Sequence, residues 1–196
     1  MRILLVYCHP CPESFNAAVR DRAIAALTRA GHEVDLLDLY AEGFDPVLSA
    51  QARRDYHTPG VNEADVADHL ARLRAADGLL FVYPTWWYGP PAMLKGWLDR
   101  VWVPHATFKM PEKGKPIARV MTNIRLVGAI STLGSPPWWW WIIGMPGRRT
   151  LLTGLSVLCA KGCRTFWLGL HQMDSADDTR RKAFLARVEA RLAQIA

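Results

Sequence analysis

Apolar residues along this chain follow two rhythms. Short runs rich in Leu, Val and Ile occupy residues 3–7, 34–39, 79–83, 126–131 and 165–170. The first and third are unbroken, as expected of strands buried on both faces of a parallel sheet. Between the runs, apolar positions recur at helical spacing. Ser14 is placed to cap a helix reaching about Ala30, with Gly31 ending it. Asn62 starts a second helix with Val66, Leu70 and Leu73 on one face. A third begins near Pro91, after the strand at 79–83 breaks at Pro84, and aligns Met93, Leu94, Trp97, Leu98, Val101 and Trp102 in a buried stripe. A helix is expected around residues 150–160. A last one starts at Ser175, with Asp178 as its capping-box partner and Phe184, Leu185, Val188, Leu192 and Ile195 on its apolar face. Residues 40–60 read as a polar loop with several turn formers.

Strand and helix thus alternate along all 196 residues, with no repeat, low-complexity tract or linker. The expected fold is α/β: one domain, 1–196, built on a doubly wound five-stranded parallel sheet with helices on both faces and right-handed crossovers. With strand order 2-1-3-4-5 this is the flavodoxin-like arrangement, whose ligand site lies beyond the carboxyl ends of the strands where the order reverses. Three loops should meet there, at residues 9–14, 84–90 and 132–137.

The first of these loops leads into a helix N-terminus, where unpaired N–H groups and the helix dipole favour a phosphate. Ser14 adds a hydroxyl, Asn16 an amide and His9 a further donor. Neither a Walker loop nor a GxGxxG turn is present, so Ser14 as a plain cap and His9 as a plain turn residue remain equally open. The second loop carries the stronger signal. Trp86, Trp87 and Tyr88 follow a strand end directly and are stiffened by Pro84, Pro90 and Pro91. Such an aromatic cluster suits a binding surface or a subunit contact. It also suits the flat wall that an isoalloxazine ring needs, with loop amides beside it.

Composition narrows the function classes. The net charge of +6 comes from scattered cations with mild clustering in the last helix, and no basic stripe interleaves with aromatics, so nucleic acid is not an expected partner. The most apolar stretch, residues 138–145, is too short to span a bilayer, and Met1 leads straight into a strand without a signal-peptide pattern. A cytoplasmic location without membrane insertion is expected. Cys8 and Cys11 form a C-x-x-C between strand and helix, which raises a thiol–disulfide oxidoreductase as a rival reading. Two residues separate Cys11 from the Ser14 cap, which weakens that rival. Cys159 and Cys163 lie far from the first pair in sequence, and no metal site is expected.

These residues carry a resemblance. His9-Pro10 with Ser14-Phe15-Asn16, Asp38-Leu39-Tyr40 with Phe44-Asp45-Pro46, and the block from Pro84 through Trp86-Trp87-Tyr88-Gly89, Pro91-Ala92, Leu94-Lys95-Gly96-Trp97 and Asp99-Arg100-Val101 resemble the NAD(P)H:quinone oxidoreductase family. The resemblance implies a flavin-dependent enzyme that passes a hydride from NAD(P)H through bound flavin to a quinone or similar small-molecule acceptor. It implies that His9, Ser14, Phe15 and Asn16 hold the flavin phosphate and ribityl chain. Pro84, Thr85, Trp86, Trp87 and Tyr88 would lie along the ring, and Thr132, Gly134 and Ser135 would meet its other edge. It further implies a homodimer with the site at the subunit boundary, to which residues 93–102 and 138–141 would contribute. FMN suits a chain of this length, and FAD is the alternative. Because the family also holds ancillary flavoproteins of potassium efflux systems, a regulatory or electron-carrier role beside a membrane transporter is the second reading. Two departures stand out. Leu133 adds bulk in the third loop, where several relatives carry glycine. Trp139 stands near the position of a family tyrosine, and no histidine follows before His171, so no catalytic proton donor carries over.

Overall fold

In the computed structural model, which describes residues 1–111 and 116–195, the five apolar runs form one parallel sheet. They are β1 (Arg2–Tyr7), β2 (Glu33–Asp38), β3 (Gly78–Thr85), β6 (Leu126–Leu133) and β7 (Arg164–Leu170), in the order β2-β1-β3-β6-β7. That is the expected 2-1-3-4-5 order, and the reversal falls between β1 and β3. The small strands β4 (Phe108–Lys109) and β5 (Ala118–Arg119) pair antiparallel outside the sheet, an addition the sequence pattern did not signal.

The period of two in each strand divides the core. Leu4, Val6, Leu79, Phe81, Tyr83, Val127 and Ala129 face one side, against α3 (Ala67–Ala75) and α4 (Ala92–Val101). Ile3, Leu5, Tyr7, Leu80, Val82, Leu126 and Ile130 face the other, against α1 (Phe15–Arg29) and α7 (Asp178–Leu192). Trp97 and Val101 of α4 and Val188 and Leu192 of α7 are fully buried, so both apolar stripes read from the sequence are consumed by the core. The aromatics of this segment, Trp97 and Trp102, are thus buried within the chain itself. The outward residues of α4 are Ala92, Lys95 and Asp99.

The helix ends follow local chemistry. Ser14 caps α1 by accepting from the Ala17 N–H at 3.2 Å, and Gly31 at φ 81° closes its far end. α7 starts later than expected. Ser175 lies in a short 3-10 turn, Ala176 is extended, and Asp177 caps the helix by accepting from Arg180 N at 2.8 Å. Asn62 is not a cap either. Its amide donates to the Tyr56 and Pro104 carbonyls at 3.0 and 2.9 Å, and α3 begins only after a 3-10 turn at Ala64–Val66. The polar stretch 40–60 contains α2 (Ala50–Asp55), capped by Ser49. The tryptophan run forms α5 (Pro137–Ile142), with Pro137 at its start. In place of one helix at 150–160, α6 (Pro146–Arg148) opens into a wide π turn at Arg149–Gly154 and a 3-10 turn at Ser156–Leu158.

β3 runs through Pro84 instead of breaking there. The Val82 carbonyl accepts from Cys8 N, so by alternation Pro84 also points its backbone toward β1. β1 has ended at Tyr7, and the missing proline N–H leaves no ladder bond unmade.

Candidate functional site

The strand ends at the order reversal are bridged by one side-chain bond. The Asn16 amide, in the first turn of α1, donates to Thr132 Oγ1 at 3.0 Å. Asn16 is 4% exposed, and its Oδ1 is buried without a partner among the described residues. A buried acceptor left unpaired is costly, which sets this amide oxygen apart from the satisfied polar groups around it. Ser14 Oγ lies 3.4 Å from the Tyr7 hydroxyl, which burial pushes above the ordinary tyrosine range. His9 Nδ1 accepts from Cys11 N at 3.0 Å, which leaves Nε2 as its free ring nitrogen. The His9 ring stands 6.2 Å from that of Trp86, linking the first loop to the second. The Phe15 ring packs on Phe184 of α7, with ring centroids 6.3 Å apart.

The second loop is a two-residue hairpin. Trp86 and Gly89 exchange backbone bonds at 3.2 and 3.0 Å, and Trp87 and Tyr88 between them take φ 47° and 63°. Both central residues are left-handed, the type I′ geometry that ordinarily selects Asn-Gly. For bulky aromatics this conformation costs about 1 kcal/mol each. The strain is held by neighbours: the Trp139 indole donates to the Tyr88 hydroxyl at 3.0 Å, and Gly147 N donates to the Tyr88 carbonyl at 3.2 Å. A Cβ at Gly147 would stand 3.3 Å from that carbonyl, so glycine lets the two segments approach without displacing it. The result is a Trp87 side chain that is 95% exposed.

Two adjoining cavities open between this hairpin and the third loop. One, of about 450 Å³, is lined by Thr85, Trp87, Tyr88, Gly134, Ser135 and Trp139, among others. The next, of about 400 Å³, adds Pro84, Trp86, Thr132, Met173 and Asp174. Thr85 Oγ1 and Ser131 Oγ lie 2.8 Å apart at the floor. Of the residues singled out in sequence, Pro84 to Tyr88, Thr132, Gly134, Ser135 and Trp139 therefore come together. His9, Ser14, Phe15 and Asn16 stand beside them at the α1 start, outside both cavity walls.

Sequence reasoning missed Met173 and Asp174, which the turn after β7 delivers. The Asp174 carboxylate sits where a Cβ on Gly134 would meet it at 2.9 Å. Leu133 lines both cavities, as its place in the third loop led one to expect, while its side chain is 1% exposed and its Cδ1 lies close to Gly169. His171 is behind the site. Its Nδ1 donates to the Ser135 carbonyl at 3.1 Å and its ring stands against Trp140. Burial pulls its pKa down. Trp139 is a donor already committed to Tyr88, and an indole N–H does not ionise near neutral pH. The C-x-x-C pair divides in the same way: burial pushes the Cys8 thiol up to about 12, while Cys11 is exposed. The described residues hold no group of three or more potential metal ligands.

A family profile described as flavodoxin-like fold matches residues 1–148. Among curated proteins, the ribosyldihydronicotinamide dehydrogenase-like protein of Penicillium crustosum is 36% identical over 118 residues, 52% of this chain and 44% of that protein. The human ribosyldihydronicotinamide dehydrogenase [quinone] is 31% identical over 126 residues, 56% of this chain and 54% of its own. The chain thus spans about half the length of the curated relatives it matches. The solved structure of an NAD(P)H:quinone oxidoreductase from Methanothermobacter marburgensis superposes with a TM-score of 0.84 at 25% identity, covering 100% of this chain and 99% of that one. With a matching profile across three quarters of its length and the strand order that fold requires, the chain belongs to the flavodoxin-like fold family.

Proposed function

We propose that the protein is a flavin-dependent NAD(P)H oxidoreductase acting on quinones or similar two-electron acceptors, with FMN as its flavin. One observation carries the reading. At the order reversal, an aromatic wall is held outward on a strained hairpin, opposite a glycine–serine loop and beside a helix start with an unpaired buried amide oxygen. These features suit the parts of a flavin separately. The α1 start, with Ser14 and His9, fits a phosphate. Asn16 Oδ1 fits a hydroxyl donor of the ribityl chain. Trp87 and Tyr88 fit the face of a flat ring, with Gly134 and Ser135 at its far edge. The related proteins named for quinone reduction support the same assignment.

When bound, the flavin supplies the relay that accepts a hydride from NAD(P)H and passes it to the acceptor. The chain's contribution is positioning. The Trp139–Tyr88 bond and the Gly147 contact fix the aromatic wall. The Asn16–Thr132 bond fixes the α1 start relative to β6. Preorganised groups of this kind lower a barrier without moving during reaction. Asp174 sets a negative charge in the same opening.

Trp138, Trp141 and Ile142 are 63%, 70% and 59% exposed next to the 95% exposed Trp87. Exposed apolar side chains on α5, which the Trp139–Tyr88 bond ties to the hairpin, suit a second copy of the chain, so the homodimer reading rests on α5 and not on α4. The four free thiols suit a reducing, cytoplasmic setting, and no described helix is long and apolar enough to cross a membrane.

The test is the purified protein itself. It should be yellow, release FMN by mass, and oxidise NADPH or NADH with a benzoquinone much faster than free FMN does. Bound flavin without turnover above free flavin would favour the transporter-associated or carrier reading. Absence of flavin after reconstitution would end the proposal.

A further inference from the structure

The remaining two thiols lie at the other end of the sheet from the candidate site. After the 3-10 turn at Ser156–Leu158, the chain passes Cys159 and makes a tight turn that enters β7. Cys163 N donates to the Ala160 carbonyl at 3.0 Å, and Gly162 at φ 78° lets the turn close. The approach to the turn is anchored, with Met121 N on Leu158 O at 3.2 Å and Ala160 N on Ile124 O at 3.0 Å. The turn brings the two thiols near enough to influence one another, and the Cys163 thiol donates to the Arg164 carbonyl at 3.7 Å. Cys159 is fully buried, with Sγ also 3.2 Å from the Leu155 carbonyl. Cys163 is half-buried and lines a cavity of about 360 Å³ with Met1, Arg125, Lys161 and Arg164. One thiol of the pair thus meets solvent among cations, and the other waits directly behind it.

We propose that Cys163 and Cys159 form a peroxide-reactive dithiol, with Cys163 as the attacking thiol and Cys159 as the resolving one. Their surroundings divide the roles. Contact with Cys159 and the nearby Arg164 hold Cys163 below the ordinary thiol range. The same contact and burial push Cys159 up. A thiolate in a cationic, open setting is the reactive kind, and a buried neutral thiol beside it is placed to resolve.

The oxidant is hydrogen peroxide. The Cys163 thiolate attacks one peroxide oxygen, an S–O bond forms and the O–O bond breaks. The departing hydroxide takes a proton from solvent as the first water, and Cys163 becomes a sulfenic acid. Cys159 then attacks the Cys163 sulfur. The S–S bond forms, the S–O bond breaks, and the leaving hydroxide takes the Cys159 proton as the second water. One peroxide and two thiols give one disulfide and two waters.

The test uses the full-length protein without NAD(P)H, treated with hydrogen peroxide and then unfolded for analysis. The four free cysteines should fall to two free thiols, with the intact mass lower by two hydrogen atoms. Peptide mapping should join Cys159 to Cys163. Cys159→Ser should arrest the reaction at a dimedone-reactive Cys163, and Cys159→Ala serves if the serine disturbs the buried site. Cys163→Ser should abolish disulfide formation with circular dichroism unchanged. A disulfide confined to Cys8 and Cys11, dimedone on Cys11 alone, or four free thiols after peroxide would each overturn the proposal.

Discussion

The Asn16 amide donates to the Thr132 hydroxyl at 3.0 Å, joining the start of α1 to the end of β6 across the point where the strand order reverses. The bond leaves Asn16 Oδ1 buried and unpaired. Asn16→Ala removes both, at a cost of about 1–3 kcal/mol in stability for the Thr132 hydroxyl left behind. Flavin affinity should fall by about tenfold or more, as for one lost hydrogen bond in a dry site. Titration of apoprotein with FMN checks this, alongside a melting curve of the apo form. Unchanged affinity in a folded variant would remove Asn16 from the site.

Trp87 allows stability and function to be separated. It is 95% exposed at φ 47°, so it contributes little to the core while straining the hairpin. Asparagine tolerates that conformation and is the residue type I′ turns prefer. Trp87→Asn should stabilise the apoprotein by about 1 kcal/mol, a rise of roughly 2–4 °C in Tm for a chain this size. The same change should weaken FMN binding and turnover, because the wall is gone. A gain in Tm with no loss of flavin affinity would mean that Trp87 does not face the cofactor.

That hairpin also shows where the sequence stopped being informative. Strands were legible because burial on both faces leaves continuous apolar runs at residues 3–7 and 79–83, and a period of two inside them assigns each residue to a face. The tip at 87–88 carries Trp-Tyr in place of any turn former, so its geometry is set by Trp139 and Gly147 from elsewhere in the chain. α5 was hidden because four consecutive tryptophans have no polar face to give a helical period. Asp174 enters the opening only through tertiary folding of the turn after β7.

Two histidines should make stability fall in mild acid. His69 accepts from the Trp97 indole at Nδ1, 3.4 Å away, and His171 lies under the third loop against Trp140. Burial lowers the pKa of both. In the unfolded chain each protonates near the ordinary value of about 6.5. Between that value and the lower folded one, the unfolded state binds more protons, so stability rises with pH. Their contribution is complete above about pH 6.5 and is lost as pH falls through the folded pKa values. Melting curves from pH 8 to 5 should decline, and His69→Gln should flatten the decline. Imidazole titrations by NMR at or above 6.5 for both rings would contradict the assignment.

Gly96 fixes how α4 approaches the loop before α2, and with it the base of the hairpin that α4 follows. A Cβ at Gly96 would overlap the Pro46 carbonyl oxygen, Cβ and Cα at once. Two of those atoms are backbone, and the Arg100 guanidinium holds the same segment through the Asp45 carbonyl. In an exposed helix, glycine to alanine would stabilise by about 1 kcal/mol. Here the overlap decides the sign. Gly96→Ala should destabilise by about 3 kcal/mol, lowering Tm on the order of 10 °C. It should also lower FMN affinity, because α4 can relieve the overlap only by moving away from Pro46 and carrying the hairpin with it. A neutral or stabilising Gly96→Ala in thermal melts would show that α4 and the Pro46 segment separate freely, and that the hairpin is held by Trp139 and Gly147 alone.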